Sequence, residues 1–258
     1  MVDMENNVGH FNPITRFNLR AELYDKYRPD YPEELFTFLE RELGLNKGST
    51  LVEIGSGTGV FSKHLIGKGY FLTCIEPNSE MRQKSIEKLV KIGLVKIIDG
   101  FSENTGLEKD SVDCIFVAQA FHWFNSIKTK IEFQRILKAN GKIVICWILN
   151  KTRTEFERNF ESLRNEFANK PVPKVRNDEA KIRDFFSPNK VAKKVFHFTS
   201  SLDLENLKGI LLSTSFLPQE GEEGHLELLK KITELFQKYQ KNGYVQLGYQ
   251  VPLYWSSI

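Results

Sequence analysis

The sequence feature that most constrains the fold is a short apolar run that leads directly into three glycines at alternate positions. Residues 51–61 read LVEIGSGTGVF, and the segment from Val60 to Ile66 has the apolar spacing of an amphipathic helix. Glycine adopts positive φ angles at little cost and lets backbone N–H groups approach a ligand closely. A strand, a glycine loop and a helix in this order predict a ligand-binding turn, although short glycine motifs also occur in turns that bind nothing.

The spacing of the glycines narrows the class of ligand. A dinucleotide-binding fingerprint has a small residue where this chain has Val60. The pattern here is instead GxGxG, and an acid, Glu53, precedes its first glycine by two positions. Val60 therefore disfavours an oxidoreductase that uses a nicotinamide or flavin dinucleotide.

Strands and helices alternate after residue 46, which predicts a parallel α/β sheet with right-handed crossovers. The predicted strands cover residues 50–55, 70–75, 94–98, 111–117 and 142–148, with later strands at 193–200 and 244–255. We expect one compact domain built from four parts. These are a helical N-terminal flap at 1–45, a ligand-binding core at 46–150, a helical insertion or cap at 151–190, and a C-terminal part at 191–258 that completes the sheet.

Composition excludes several classes of function. The 36 Lys and Arg against 33 Asp and Glu leave a net charge of +3, which provides no long-range field for nucleic acid or membrane surfaces. No apolar run reaches transmembrane length, and the first ten residues are polar rather than a signal peptide. The three cysteines fall in predicted strands, which favours buried thiols in the cytoplasm. The histidines are scattered, so we expect no metal site.

Ligands of open α/β sheets bind beyond the carboxyl ends of the strands, where the strand order reverses. Glu76 ends the second predicted strand, at roughly the distance from the glycine loop where an acid accepts ribose hydroxyls. Its alternative role is to cap the helix that follows. Pro77 and Met81 are expected to form one wall for an adenine ring, and Phe101 and Ser102 the other.

Six segments together resemble a known family. They are RFNLRAELYDKYRPDYP, VEIGSGTG, IEPNSEM, SVDCIFVAQAFHWF, RILKANGKIVICW and LLSTSFLP. In these segments the chain resembles the class I S-adenosylmethionine (SAM)-dependent methyltransferases of the type 11 group. Within that group it resembles the branch of trans-aconitate methyltransferase-like bacterial proteins. The resemblance covers most of the chain. It implies a Rossmann-like, seven-stranded sheet that is mostly parallel with an antiparallel last strand.

The resemblance also implies the cofactor, SAM, its product S-adenosylhomocysteine (SAH), and the residues that hold it. The implied cofactor contacts are Gly55, Gly57, Glu76, Ser102 and Gln119, to which the glycine motif adds Glu53 and Ser56. Many relatives have an alanine where this chain has Ser102, which affects only the adenine contact. In the flap, Tyr24 or Arg28 is expected at the carboxylate of the cofactor, the alternative being an ordinary amphipathic surface helix.

Methyl transfer needs alignment and a dry site, and a base only where the nucleophile must lose a proton. His122 lies in an aromatic cluster after the fourth strand and is either a catalytic base or a structural histidine. Tyr27 and Trp123 are expected to contact a small-molecule acceptor. The alternatives are a SAM- or SAH-binding protein without catalysis and, less favoured, an oxidoreductase. We expect a monomer or homodimer that binds neither nucleic acid nor membranes.

Overall fold

The computed structural model describes residues 21–169 and 178–258, so the predicted flap residues 1–20 and the insertion residues 170–177 lie outside the described residues. The helices are α1 (Ala21–Tyr27), α2 (Glu33–Leu43), α3 (Ser62–Gly67), α4 (Ser79–Leu89), α5 (Ser126–Ile136), α6 (Glu155–Glu166), α7 (Glu179–Phe186), α8 (Leu204–Leu212) and α9 (His225–Tyr239). The strands are β1 (Leu51–Ile54), β2 (Leu72–Ile75), β3 (Val95–Ile98), β4 (Val112–Ala118), β5 (Leu137–Cys146), β6 (Leu149–Asn150), β7 (Ala192–Leu202) and β8 (Val245–Ser256).

All of these strands form one sheet. Its order is β3-β2-β1-β4-β5-β8-β6, with β7 paired along β8. Strands β1 to β5 are parallel, whereas β8 runs antiparallel to β5, β6 and β7. The predicted Rossmann-like fold, mostly parallel with an antiparallel last strand, is confirmed. The sheet has an eighth strand because β6, only two residues long, pairs with Tyr249 and Gln250 of β8.

Alternate residues of the central strands contribute to two hydrophobic cores, one on each face of the sheet. Leu51 and Phe116 point into the core formed with α2, α3, α6, α8 and α9. Val52 and Ile115 point into the core formed with α5 and α7. Because both faces are covered, the central strands β1, β2 and β4 are mostly apolar, as parallel strands in α/β proteins are.

Local polar side chains set where several helices begin. The Asn78 side chain accepts a hydrogen bond from the Met81 N–H and caps α4. Thr154 and Glu157 form a reciprocal capping box at the start of α6. None of the helices in residues 21–169 and 178–258 combines the length and the apolar character needed to cross a bilayer.

Candidate functional site

A cavity of about 490 Å³ lies at the carboxyl ends of β1, β2 and β4. The strand order reverses between β1 and β4, so the cavity is where ligands of open α/β sheets bind. Its lining comes from the glycine loop, the residues after β2, β3 and β4, and helix α1. The predicted residues that line it are Tyr24, Arg28, Glu53, Gly55, Ser56, Gly57, Glu76, Pro77, Met81, Phe101, Ser102, Gln119 and Trp123.

Glycine is needed at two positions of the loop for different structural reasons. Gly55 has a φ of +71°, and a Cβ there would lie 2.5 Å from the Ala120 Cβ. Glycine at this position therefore lets the β1 loop touch the loop after β4. Gly57 has a φ of +57°, but a Cβ there would meet nothing within 4 Å. Gly57 thus keeps open a volume that borders the cavity, as expected of a cradle for a ligand.

The Glu76 carboxylate joins the glycine loop to the start of α4. Its Oε2 accepts a hydrogen bond from the Gly57 N–H at 2.8 Å, and its Oε1 accepts one from the Asn78 N–H at 2.9 Å. Burial raises the pKa of Glu76, while these two hydrogen bonds act in the opposite direction. The side chain therefore has a structural role at the turn before α4 and also lines the cavity where the sequence predicts a ribose contact.

Glu53 is the most buried acid of the site, with 1% of its surface exposed. Burial raises its pKa to about 8, and the nearby Glu76 charge adds to the shift, whereas a hydrogen bond from the Ser62 hydroxyl opposes it. At neutral pH the folded protein therefore holds Glu53 mostly in its protonated form. Glu53 therefore adds little negative charge behind the glycine loop at neutral pH.

The predicted adenine walls lie on opposite elements. Met81 is buried in α4, whereas Phe101, after β3, leaves 48% of its surface exposed at the cavity. The Ser102 hydroxyl accepts a hydrogen bond from the Thr129 hydroxyl at 3.0 Å. The side chain of Ser102 is therefore bonded to α5, and the residue also lines the cavity.

Helix α1 brings a cation to the cavity. The Arg28 guanidinium lies 4.9 Å from the centre of the Tyr24 ring, and its Nη2 donates a hydrogen bond to the Ser213 carbonyl at 3.2 Å. Arg28 as a whole is half-buried, but its Nε is inaccessible to solvent and has no hydrogen-bond partner among residues 21–169 and 178–258. No carboxylate of these residues bonds to it. A buried cation in such surroundings favours the binding of an anion.

Gln119, at the end of β4, has a strained backbone. Its φ is +61°, a conformation that non-glycine residues adopt uncommonly and at a cost of about 1–3 kcal/mol. Its N–H donates a hydrogen bond to the Cys146 carbonyl at 2.9 Å, and its side-chain amide donates one to the Ile148 carbonyl at 3.4 Å. The loop after β4 is thereby fastened to the end of β5. Strain of this kind concentrates at ligand-binding sites.

Two residues singled out in the sequence do not line the cavity. The Nδ1 of His122 accepts a hydrogen bond from the Trp147 indole N–H at 3.3 Å, which places the proton of a neutral ring on Nε2. A hydrogen bond to a buried tryptophan is the kind of contact that the structural alternative for His122 predicts. Tyr27 packs on α8 instead, and its hydroxyl donates a hydrogen bond to Glu205 at 2.9 Å.

The sequence analysis did not single out two buried polar residues of the cavity, Tyr31 and Thr58. Tyr31 is buried, and its hydroxyl lies beside the Cys146 thiol without a hydrogen bond of normal geometry to any described residue. The buried Thr58 hydroxyl likewise has no partner within residues 21–169 and 178–258. The prolines on either side of Tyr31 signal a fixed turn, but nothing local indicates that its ring points inward. Within the same residues, no group of three potential metal ligands converges.

Comparisons with known proteins agree with this geometry. Residues 52–145 match the model of a family described as a methyltransferase domain. An uncharacterized methyltransferase of Geobacillus sp. strain WCH70 is 32% identical over 153 residues, which cover 56% of this chain and 71% of the relative. An uncharacterized methyltransferase-like protein of Schizosaccharomyces pombe is 25% identical over 88% of this chain and 89% of its own length.

Solved structures share the fold. A structure from Thiobacillus denitrificans, a SAM-dependent methyltransferase in complex with SAH, has a TM-score of 0.51 and 17% identity, and the match covers 92% of this chain and 96% of that one. A candidate type II methyltransferase from Anaeromyxobacter dehalogenans has a TM-score of 0.71 and 17% identity over 89% and 97% of the two chains.

Proposed function

This chain belongs to the class I SAM-dependent methyltransferases, and from that premise we propose that it methylates a small-molecule acceptor within the cavity described above. One observation carries the proposal. A single cavity joins the glycine loop and Glu76, which suit a nucleoside, to Gln119 and Trp123 at the end of β4. SAM supplies a methyl group already activated by its sulfonium charge, so the residues of the chain have to bind, align and exclude water.

The residues present fit the cofactor. The space beside Gly57 is open, and four buried polar atoms of the lining lack hydrogen-bond partners among the described residues, namely Arg28 Nε, Tyr31 Oη, Ser56 Oγ and Thr58 Oγ1. Buried polar atoms are normally satisfied, so several unsatisfied ones around one cavity indicate a polar ligand. Within it, Glu76 would accept hydrogen bonds from ribose hydroxyls, and Met81 and Phe101 would contact the adenine.

Arg28 is proposed to bind the carboxylate of the cofactor. Its guanidinium is held by the Ser213 carbonyl and the Tyr24 ring, neither of which neutralises its charge. A carboxylate would satisfy the buried Nε and offset the cost of burying a cation without a counter-charge. The sequence analysis expects Tyr24 or Arg28 in this role, and the buried, unpartnered Nε supports Arg28.

At the acceptor end, the chain is proposed to work by alignment and desolvation. Trp123, Phe124 and Ile148 line the cavity beyond Gln119 and provide an apolar surface. His122 already accepts a hydrogen bond through Nδ1. We therefore propose that it orients the loop after β4 and does not remove a proton from the acceptor. Helix α1 contributes to the lining of the same cavity, which favours an acceptor small enough to share the space with the cofactor.

Calorimetry with purified protein tests the cofactor assignment. SAM and SAH are expected to bind, and NAD is not. Gly57→Ala should weaken SAM binding at least tenfold because its methyl group enters the open volume beside the cavity. Gly44→Ala is the matched control, since Gly44 also has a positive φ, +62°, and open space at its Cβ, but lies outside the cavity. Equal loss of SAM affinity in both variants would contradict the assigned loop.

Formation of SAH in the presence of small-molecule acceptors tests catalysis. Acceptor-dependent SAH release by the wild type, lost in Gly57→Ala, is the expected result. A protein that binds SAM but releases no SAH with any class of nucleophile, whether hydroxyl, amine, thiol or carbon acid, would instead be a non-catalytic SAM-binding protein.

A further inference from the structure

We propose that helix α8, which does not line the cavity, sets the position of Tyr24 and Arg28 and thereby the affinity for the amino-acid part of the cofactor. The inference rests on the proposed function, because it assigns Arg28 to the cofactor carboxylate. Gly209, Glu205 and the carbonyl of Ser213 are then positioning groups. They act through α1 rather than by touching a ligand.

The central contact is between Gly209 and the ring of Tyr27. A Cβ built on Gly209 would lie 2.2 Å from Cγ and Cδ1 of that ring, so the ring packs directly on the backbone of α8. Glycine is the poorest helix former after proline, and Gly209 is in the interior of the helix. The close approach of Tyr27 explains why this helix has no side chain there.

Contacts at both ends of α8 also hold α1 and Arg28 in place. Glu205, one turn before Gly209, accepts a hydrogen bond from the Tyr27 hydroxyl at 2.9 Å and pairs with Lys26 at 3.3 Å. At the other end, the carbonyl of Ser213, the residue after the helix, accepts the hydrogen bond from Arg28 Nη2. A carbonyl at a helix C-terminus carries partial negative charge and therefore suits a cation.

Within the described residues α1 spans Ala21–Tyr27, and its position depends on packing against neighbouring elements, as for most helices in proteins. On its other side α1 contacts α4 through two ion pairs. One pair joins Lys88 to Asp25, and in the other the Nζ of Lys84 lies 3.7 Å from the Oε1 of Glu22. Such contacts, made by long and flexible lysine side chains, define a position loosely. The contact between Tyr27 and the α8 backbone leaves much less freedom, so α8 is the element that fixes Arg28.

Gly209→Ala tests the proposal, because its methyl group has to displace the Tyr27 ring. We expect the Kd for SAH to rise at least tenfold by calorimetry. The Kd for 5′-methylthioadenosine, which lacks the amino-acid part and its carboxylate, should change less than twofold. Gly67→Ala is the matched control, since Gly67 is also helical but has nothing within 4 Å of its Cβ and lies outside the cavity. Its two affinities should equal those of the wild type.

Tyr27→Leu keeps the proposal testable if Gly209→Ala does not fold. It removes the ring from Gly209 and the hydrogen bond to Glu205, and it is expected to weaken SAH binding severalfold while sparing methylthioadenosine. In the double variant, Gly209→Ala should add little to Tyr27→Leu, because the methyl group no longer meets the ring.

The outcomes separate the two proposals. Wild-type protein that does not bind SAH removes the proposed function and this inference with it. Wild-type protein that binds SAH, with unchanged SAH affinity in folded Gly209→Ala or in Tyr27→Leu, overturns the positioning role of α8 alone. An equal rise in the Kd of SAH and of methylthioadenosine also overturns the positioning role of α8. Such a result would show that the substitution disrupts the whole site and not only the contact of Arg28 with the carboxylate.

Discussion

Replacement of Glu53 by glutamine is expected to change how the stability of the protein depends on pH. The folded-state pKa of Glu53 is about 8, against an ordinary value of 4.5. Between these values the folded protein binds one more proton than the unfolded chain, so the free energy of unfolding falls as pH rises, by about 1.4 kcal/mol per pH unit. From pH 5.5 to 7.5 the contribution of this one group to the free energy of unfolding therefore falls by about 2–3 kcal/mol. Glutamine cannot ionise, and its oxygen can still accept the hydrogen bond from Ser62.

Urea denaturation of both proteins at pH 5.5, 6.5 and 7.5 measures the effect. The stability of Glu53→Gln relative to wild type should grow by about 1.4 kcal/mol per pH unit, since all other titrating groups are common to both proteins. Glu132→Gln is the control of opposite sign, because hydrogen bonds from Arg135 and Thr105 lower the pKa of Glu132 to about 2 against the effect of burial. That carboxylate stabilises the fold above its ordinary pKa of 4.5, so the loss of stability in Glu132→Gln should be constant at pH 5.5, 6.5 and 7.5. The loss should fade only when further measurements take the pH from 4.5 down toward 2. Parallel pH profiles for Glu53→Gln and wild type would refute the reasoning.

Three further substitutions test the site. Glu76→Ala should weaken SAM binding by about 1.5–3 kcal/mol and also lower the free energy of unfolding, because two backbone N–H groups lose their acceptor; calorimetry that shows unchanged affinity would exclude a ribose contact. Tyr31→Phe should leave thermal stability unchanged or higher and cost about 0.5–1.5 kcal/mol of SAM affinity if the unpartnered hydroxyl binds the cofactor. Once an acceptor is known, His122→Gln and His122→Phe should both retain turnover within about threefold, whereas a fall of roughly 10²-fold or more would identify His122 as a general base.

Much of the fold follows from local sequence signals. The glycine loop fixes where β1 ends, and α6 and α7 lie in the segment 151–190 that the sequence predicts to be helical. The start of β5 does not follow from local sequence signals. The sequence favours a helix to residue 138 and a strand from 142, yet α5 ends at Ile136 and β5 begins at Leu137. Leu137 pairs with Val112, and the register then shifts before Lys142 pairs with Cys114. Only pairing with β4 makes those residues a strand.

The site was predictable where it depends on strand ends. The carboxyl ends of parallel strands share one edge of the sheet, so Glu76 and Gln119, which follow β2 and β4, line one cavity. The directions of side chains outside the strands could not be derived in this way. His122 faces Trp147 at the end of β5, and Tyr27 faces Gly209 of α8. Both partners are distant in sequence, and no local pattern distinguishes these orientations from ones that point into the cavity.

The placement of β8 has a consequence for how the chain is made. A growing chain leaves the ribosome with its N-terminal part first. The glycine loop, Glu76 and Gln119 therefore emerge long before residues 245–256, which form the strand between β5 and β7. Until those residues follow, β5 offers unpaired N–H and C=O groups on which other chains can assemble. A nascent or shortened chain that includes the family match at 52–145 but lacks β8 is thus expected to depend on chaperones or to aggregate, although every predicted cofactor contact has already been synthesised.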